Sequence, residues 1–90
     1  MIEDYLEINE GTLYGACLEA AQACMHERFK PQEPAPGVLV WAGDTTKSGY
    51  VPLYVEKDGV QASTLAALEY TELDSILWVA SCFEKLVEGL

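Results

Sequence analysis

Positive charge is what this sequence has least of. Five of its 90 residues are Lys or Arg against fifteen Asp or Glu, a formal net charge of −10. Holding phosphates takes a basic footprint, so direct nucleic-acid binding is not the leading reading. An anionic membrane surface is disfavoured on the same ground. Long apolar runs are missing as well. A bilayer span takes about 20 apolar residues, and the longest candidate, Ile76 to Phe83, is short and flanked by carboxylates. Met1-Ile2-Glu3-Asp4 carries acids where a signal peptide carries Lys or Arg. These absences lead us to expect a cytoplasmic chain with a natural start and end.

Metal-ligand spacing is absent too. The three cysteines, Cys17, Cys24 and Cys82, form no close Cys-x-x-Cys pair, and His26 is the only histidine. A structural zinc site needs such pairs. The odd count argues against a disulfide framework, and Cys17 and Cys24 on one helix would sit about 10 Å apart, too far to bridge. A Cys24–His26 dyad fails because residues two apart on a helix point in different directions. Gly43-Asp44-Thr45-Thr46-Lys47-Ser48-Gly49 contains Lys-Ser after a strand, but Thr46 stands where a P-loop needs glycine, and a strand rather than a helix follows. We therefore expect no catalytic residue, no metal and no cofactor.

What the chain does have is apolar content, 50% of its residues, enough to argue for a folded chain. Its length suits a single domain, residues 1–90. The acids are unevenly spread. Residues 1–27 hold six acids and no Lys or Arg, residues 28–68 balance four of each, and residues 69–90 hold five acids against Lys85. The terminal thirds carry all of the excess.

Ile2, Tyr5, Leu6 and Asn9 would form one face of a short helix broken at Gly11. Thr12 to Phe29 reads as a helix with Thr12 as a candidate N-cap. Leu13, Cys17, Ala20 and Cys24 make one face; Leu18, Met25 and Phe29 make a bulkier flank. Pro31 stops it, and Lys30 to Gly37 reads as a stiff connecting loop. Val38 to Ala42 is a strand. Tyr50 to Glu56 is a second, alternating Val51, Leu53 and Val55 against Tyr50, Tyr54 and Glu56. Asp58-Gly59 supplies a two-residue hairpin, and Val60 to Ala62 a short third strand. In that register Pro52 lies beyond the end of the third strand, where one side of the ladder is free. Ser63 or Thr64 would cap a helical turn over Leu65 to Tyr70. Thr71-Glu72-Leu73-Asp74 resembles a capping box. Leu73, Ile76, Leu77, Ala80, Phe83, Val87 and Leu90 form the strongest periodic stripe. The expected fold is α+β: an N-terminal helix, a three-stranded antiparallel meander and a C-terminal helix, both helices packed on one sheet face.

Two groups stand out as binding candidates. Glu3, Asp4, Glu7 and Glu10 form the densest acidic cluster. Trp41, Tyr50 and Tyr54 should share the sheet face turned away from the helices, where aromatics build interfaces or merely pair across strands. Trp78, Cys82 and Lys85 lie off the stripe of the last helix, on a flank open to a homodimer contact or to cover by Tyr5 and Leu6. The first functional expectation is a small acidic protein-binding module, an inhibitor that occludes a basic, nucleic-acid-binding surface of a larger partner. Phage-encoded anti-restriction and anti-CRISPR proteins behave this way as a class. The alternative is a homo-oligomeric accessory or regulatory subunit without enzymatic activity. An enzyme would need a concave pocket with perturbed carboxylates.

Overall fold

Alternation of branched and aromatic residues builds the centre of the molecule. The computed structural model describes residues 1–67 and 72–90. Its elements run α1 (Ile2–Ile8), α2 (Leu13–His26), β1 (Gln32–Ala35), β2 (Val38–Ala42), β3 (Tyr50–Lys57), β4 (Val60–Ala67) and α3 (Leu73–Glu88). The strands form one antiparallel sheet in the order β1-β2-β3-β4. Every second residue of the inner strands faces the helices: Val38, Val40, Ala42, Val51, Leu53 and Val55 are buried. Cys17, Leu18, Ala20, Ala21 and Cys24 of α2, with Val79, Ala80, Phe83 and Val87 of α3, close the core from above. The small side chains of α2 let α3 lie alongside it on the same sheet face. No polar or charged side chain is buried among the described residues.

The sheet has four strands where the sequence reading expected three. Gln32–Ala35, read as loop, is an edge strand beside β2. Residues before proline are held to extended dihedrals, so the Pro-rich segment is already strand-shaped. An edge tolerates a missing N–H, and the register shifts between Gln32 and Ala35.

β4 is the second correction. It continues through Ser63, Thr64 and Leu65 to Ala67 instead of stopping at Ala62. The helical turn expected to start at Leu65 is therefore strand through Ala67. Residues 68–71, with the Thr71 capping box, lie outside the described residues. The hairpin explains the extension. Asp58 and Gly59 take φ of 52° and 81°, the primed turn that suits a two-residue loop. That turn fixes Lys57 opposite Val60 and gives every residue of β3 a partner, ending at Tyr50 opposite Ala67.

Pro52 is consequently opposite Leu65 and not beyond the end of β4. Antiparallel pairs alternate between bonded and non-bonded. Counting from the bonded pair that closes the hairpin, Pro52–Leu65 is non-bonded, so β4 asks no N–H of Pro52. On its other side β2 has ended, and Gly43 donates to the Pro52 carbonyl at 2.9 Å.

The helices differ from expectation mainly at their ends. α1 is present as a third helix, with Ile2 and Leu6 against the core and Tyr5 exposed. Thr12 caps α2, its hydroxyl accepting from the Gly15 N–H at 2.9 Å. α2 ends at His26, three residues before Phe29. The chain turns there so that the Arg28 carbonyl can accept the Ala42 N–H at 2.8 Å, tying the helix exit to β2. Phe29 is left exposed. The α3 stripe holds as read, with the addition of Val79, which is fully buried.

Candidate functional site

The acidic cluster of the N-terminal segment and the aromatic surface lie on different sides of the molecule. Glu3, Asp4 and Glu7 project from α1 and Glu10 from the turn after it, all exposed. α1 packs on α2, in the helical layer. Glu19 of α2, and Asp74 and Glu88 of α3, extend the acidic surface; Glu84 is half-buried. Among the described residues the ion pairs are the Met1 amine with Asp4 at 3.4 Å and Lys30 with Glu27 at 3.6 Å. Both are exposed, where such pairs contribute little. The acidic layer is therefore close to unneutralised.

A groove of about 420 Å³ runs between α1, the start of α2 and β1. Leu6, Leu13, Gly15 and Pro34 line it, and Glu10 and Glu19 bring two carboxylates to it. Sequence reasoning missed the Glu10–Glu19 pairing because it depends on how α1 folds back at Gly11. That turn is marked by the Gly11 φ of +80° and by the Thr12 hydroxyl donating to the Asn9 carbonyl at 2.6 Å.

On the opposite side, β2 and β3 turn Leu39, Trp41, Tyr50, Pro52 and Tyr54 outward, away from the helices. Trp41 and Tyr54 are directly opposite each other and stack, ring centroids 5.5 Å apart and planes 22° from parallel. Tyr50 shares the face four residues along β3 from Tyr54 and is 45% exposed. The structure thus brings Trp41 and Tyr54 into contact, keeps Tyr50 on their face, and holds all three apart from Glu3, Asp4, Glu7 and Glu10. Leu65 joins the aromatic face opposite Pro52, 56% exposed. It was missed because β4 was ended too early, although its spacing from Ser63 carries the right parity.

The remaining candidates resolve as packing. Cys17 and Cys24 are fully buried. Burial, with Glu84 and Glu88 nearby, pushes the Cys17 thiol up to about 12. Burial pushes Cys24 up to about 11, partly offset by a hydrogen bond with the Ala42 backbone. Cys82 is half-buried and also shifted upward by burial, with Lys85 opposing. All three are poor nucleophiles near neutrality. No group of three metal-ligating side chains occurs among the described residues. In the Thr45–Gly49 loop, Arg28 donates to the Thr45 hydroxyl at 2.8 Å, and the Thr46 hydroxyl accepts from the Tyr50 N–H at 3.1 Å. On α3, Trp78 keeps 48% of its surface exposed. Leu6 lies instead with Leu13 at the groove. No described helix is long and apolar enough to cross a membrane. Comparison with protein-family models, curated proteins and solved structures finds no match to the chain.

Proposed function

We propose that the chain is a small protein-binding module that inhibits a larger protein by occluding its basic, nucleic-acid-binding surface. In this reading it performs no chemistry itself. The supporting observation is the one-sidedness of its charge. The sequence thirds that hold α1, α2 and α3 carry the whole excess of acid, while the segment that holds the sheet sums to zero. A layer of exposed carboxylates meets a positive channel much as phosphates would, and complementary fields speed the encounter. Phage anti-restriction and anti-CRISPR proteins are the functional class this would join.

The test is capture from a lysate of the source cell, with and without heparin, using the wild-type chain and a variant carrying Glu3→Gln, Asp4→Asn, Glu7→Gln and Glu10→Gln. The reading expects one nucleic-acid-binding protein to be retained, released by heparin, lost with the variant, and blocked from its nucleic acid when bound. Capture that survives both heparin and the four substitutions would overturn it.

A further inference from the structure

The two edges of the sheet are built differently. β1 is four residues long, contains Pro34, and shifts register along its pairing with β2. These are the devices that keep an edge from pairing with another chain. β4 has none of them. It is eight residues long, Val60 to Ala67, pairs with β3 over its full length, and contains no proline and no charged residue.

The hairpin fixes which of its backbone groups are free. Lys57 and Val60 close a two-residue loop and exchange both hydrogen bonds. Alternation then directs the N–H and C=O of Ala62, Thr64 and Ala66 toward β3, and those of Gln61, Ser63, Leu65 and Ala67 toward the open edge. Among the described residues, no backbone bond outside the strands engages these four. The helical cover also thins here. Ala62 and Thr64 face inward yet remain half-buried, whereas their opposite numbers Val55 and Leu53 are fully buried.

We propose that β4 is a self-pairing edge. Two copies join antiparallel through Gln61 to Ala67, in a two-fold ladder centred on Thr64, forming one continuous sheet. The self-complementary, uncharged pattern of the strand selects a second copy as the occupant, and charge restricts where it can dock. With −10 on each chain, two copies repel wherever their helical layers meet. Residues 60–67 carry no charge, so the edge is where they approach at least cost. The ladder is self-complementary: Gln61 faces Ala67, Ser63 faces Leu65, and Thr64 meets Thr64, each a neutral pair. The contact is isologous and closed, because β1 offers no second edge for growth into a filament. The sheet face with Trp41 and Tyr54 becomes continuous across the axis through Leu65, and α1, packed on α2 at the β1 side, stays at the far ends of the pair.

Sedimentation velocity from low to high micromolar concentration should show a monomer converting to a dimer and no larger species. Hydrogen–deuterium exchange over the same range should show a period-two pattern. Gln61, Ser63, Leu65 and Ala67 amides should become protected as dimer forms, while Ala62, Thr64 and Ala66 are protected throughout. Ser63→Pro removes one outward N–H and no bond to β3, so it should leave a monomer whose thermal midpoint equals that of the wild-type monomer at low concentration and does not rise with concentration. A chain that stays monomeric overturns the proposal, as does a dimer that survives Ser63→Pro. Should that variant fail to fold, the wild-type exchange pattern decides: dimerisation without alternate protection along β4 rejects the edge. Such a monomer binding a peptide along β4 would assign the edge to another partner. None of these outcomes touches the carboxylates of α1, so this inference and the proposed function stand or fall separately.

Discussion

Two residue types carry more constraint than their chemistry suggests, the buried cysteines and Gly15. Cys17 and Cys24 act as small apolar side chains where α2 meets α3 and β2. Their thiols ionise near 9 when exposed, but at about 12 and 11 in the fold. Between those values the unfolded chain has released protons that the native chain still holds, so stability falls as pH rises. The contribution is intact below pH 9 and is lost through the window from 9 to about 12, at about 1.4 kcal/mol per pH unit for each fully titrating thiol. Urea midpoints should therefore drop steeply above pH 9, and a Cys17→Ala, Cys24→Ala chain should lose that part of the slope. Native-state alkylation read by mass spectrometry should label Cys82 ahead of both. Gly15 is constrained by space. A Cβ there would collide with the Asn9 carbonyl, which sits over the first turn of α2. That carbonyl already accepts from the Thr12 hydroxyl and N–H, so it has little freedom to move. Gly15→Ala should cost about 1–3 kcal/mol, as overpacking does, with α1 losing its exchange protection before the sheet.

Elements were legible where periodicity and a turn signal agreed, and hidden where one signal spoke alone. β3 and α3 were read correctly because alternation, or a stripe, ran their whole length. The Thr12 cap was legible too, and Thr12→Ala should lower stability by about 1 kcal/mol, seen as a lower urea midpoint at unchanged slope. β1 was hidden because three prolines within residues 31–36 read as loop; extended dihedrals and strand pairing look alike until β2 is placed beside them. β4 was cut short because Ser63, Thr64 and the alanines after them favour helix starts as readily as strands. What decided it was register, a long-range property set by Asp58 and Gly59. The hairpin is thus the element on which the sheet edge depends. Gly59→Val puts a β-branched side chain at a φ of +81°, where it is strained. The substitution should cost about 1–3 kcal/mol and raise exchange along β4 before β2. Of the candidate site, the composition of both surfaces was legible, and the alternation of β3 already turned the aromatics away from the helices; the place of α1 was not, since its packing on α2 depends on the turn at Gly11.

At the scale of the whole molecule, the acidic layer sets a balance between stability and availability for binding. Glu3 and Glu7, and likewise Glu84 and Glu88, are like charges one helical turn apart. Each such pair opposes its helix by about 0.2–0.5 kcal/mol. Longer-range repulsion across the layer adds to this, because few cations stand nearby to screen it. Ions perform that screening instead. The Debye length shortens from about 30 Å at 0.01 M to about 8 Å at 0.15 M, which is within the 36 Å span of the molecule. Adding sodium chloride across that range should therefore raise the thermal midpoint. In the variant with Glu3, Asp4, Glu7 and Glu10 neutralised, the midpoint should start higher and rise less. A wild-type midpoint that falls with salt would mean that attraction dominates, with the acids engaged by cations instead of left exposed. The same substitutions also separate two roles for the charge. If it only keeps an apolar chain soluble, the variant gains stability and loses nothing but solubility. If it serves a basic partner, the variant gains stability and loses capture, which is the trade expected when a binding surface is kept at the expense of the fold.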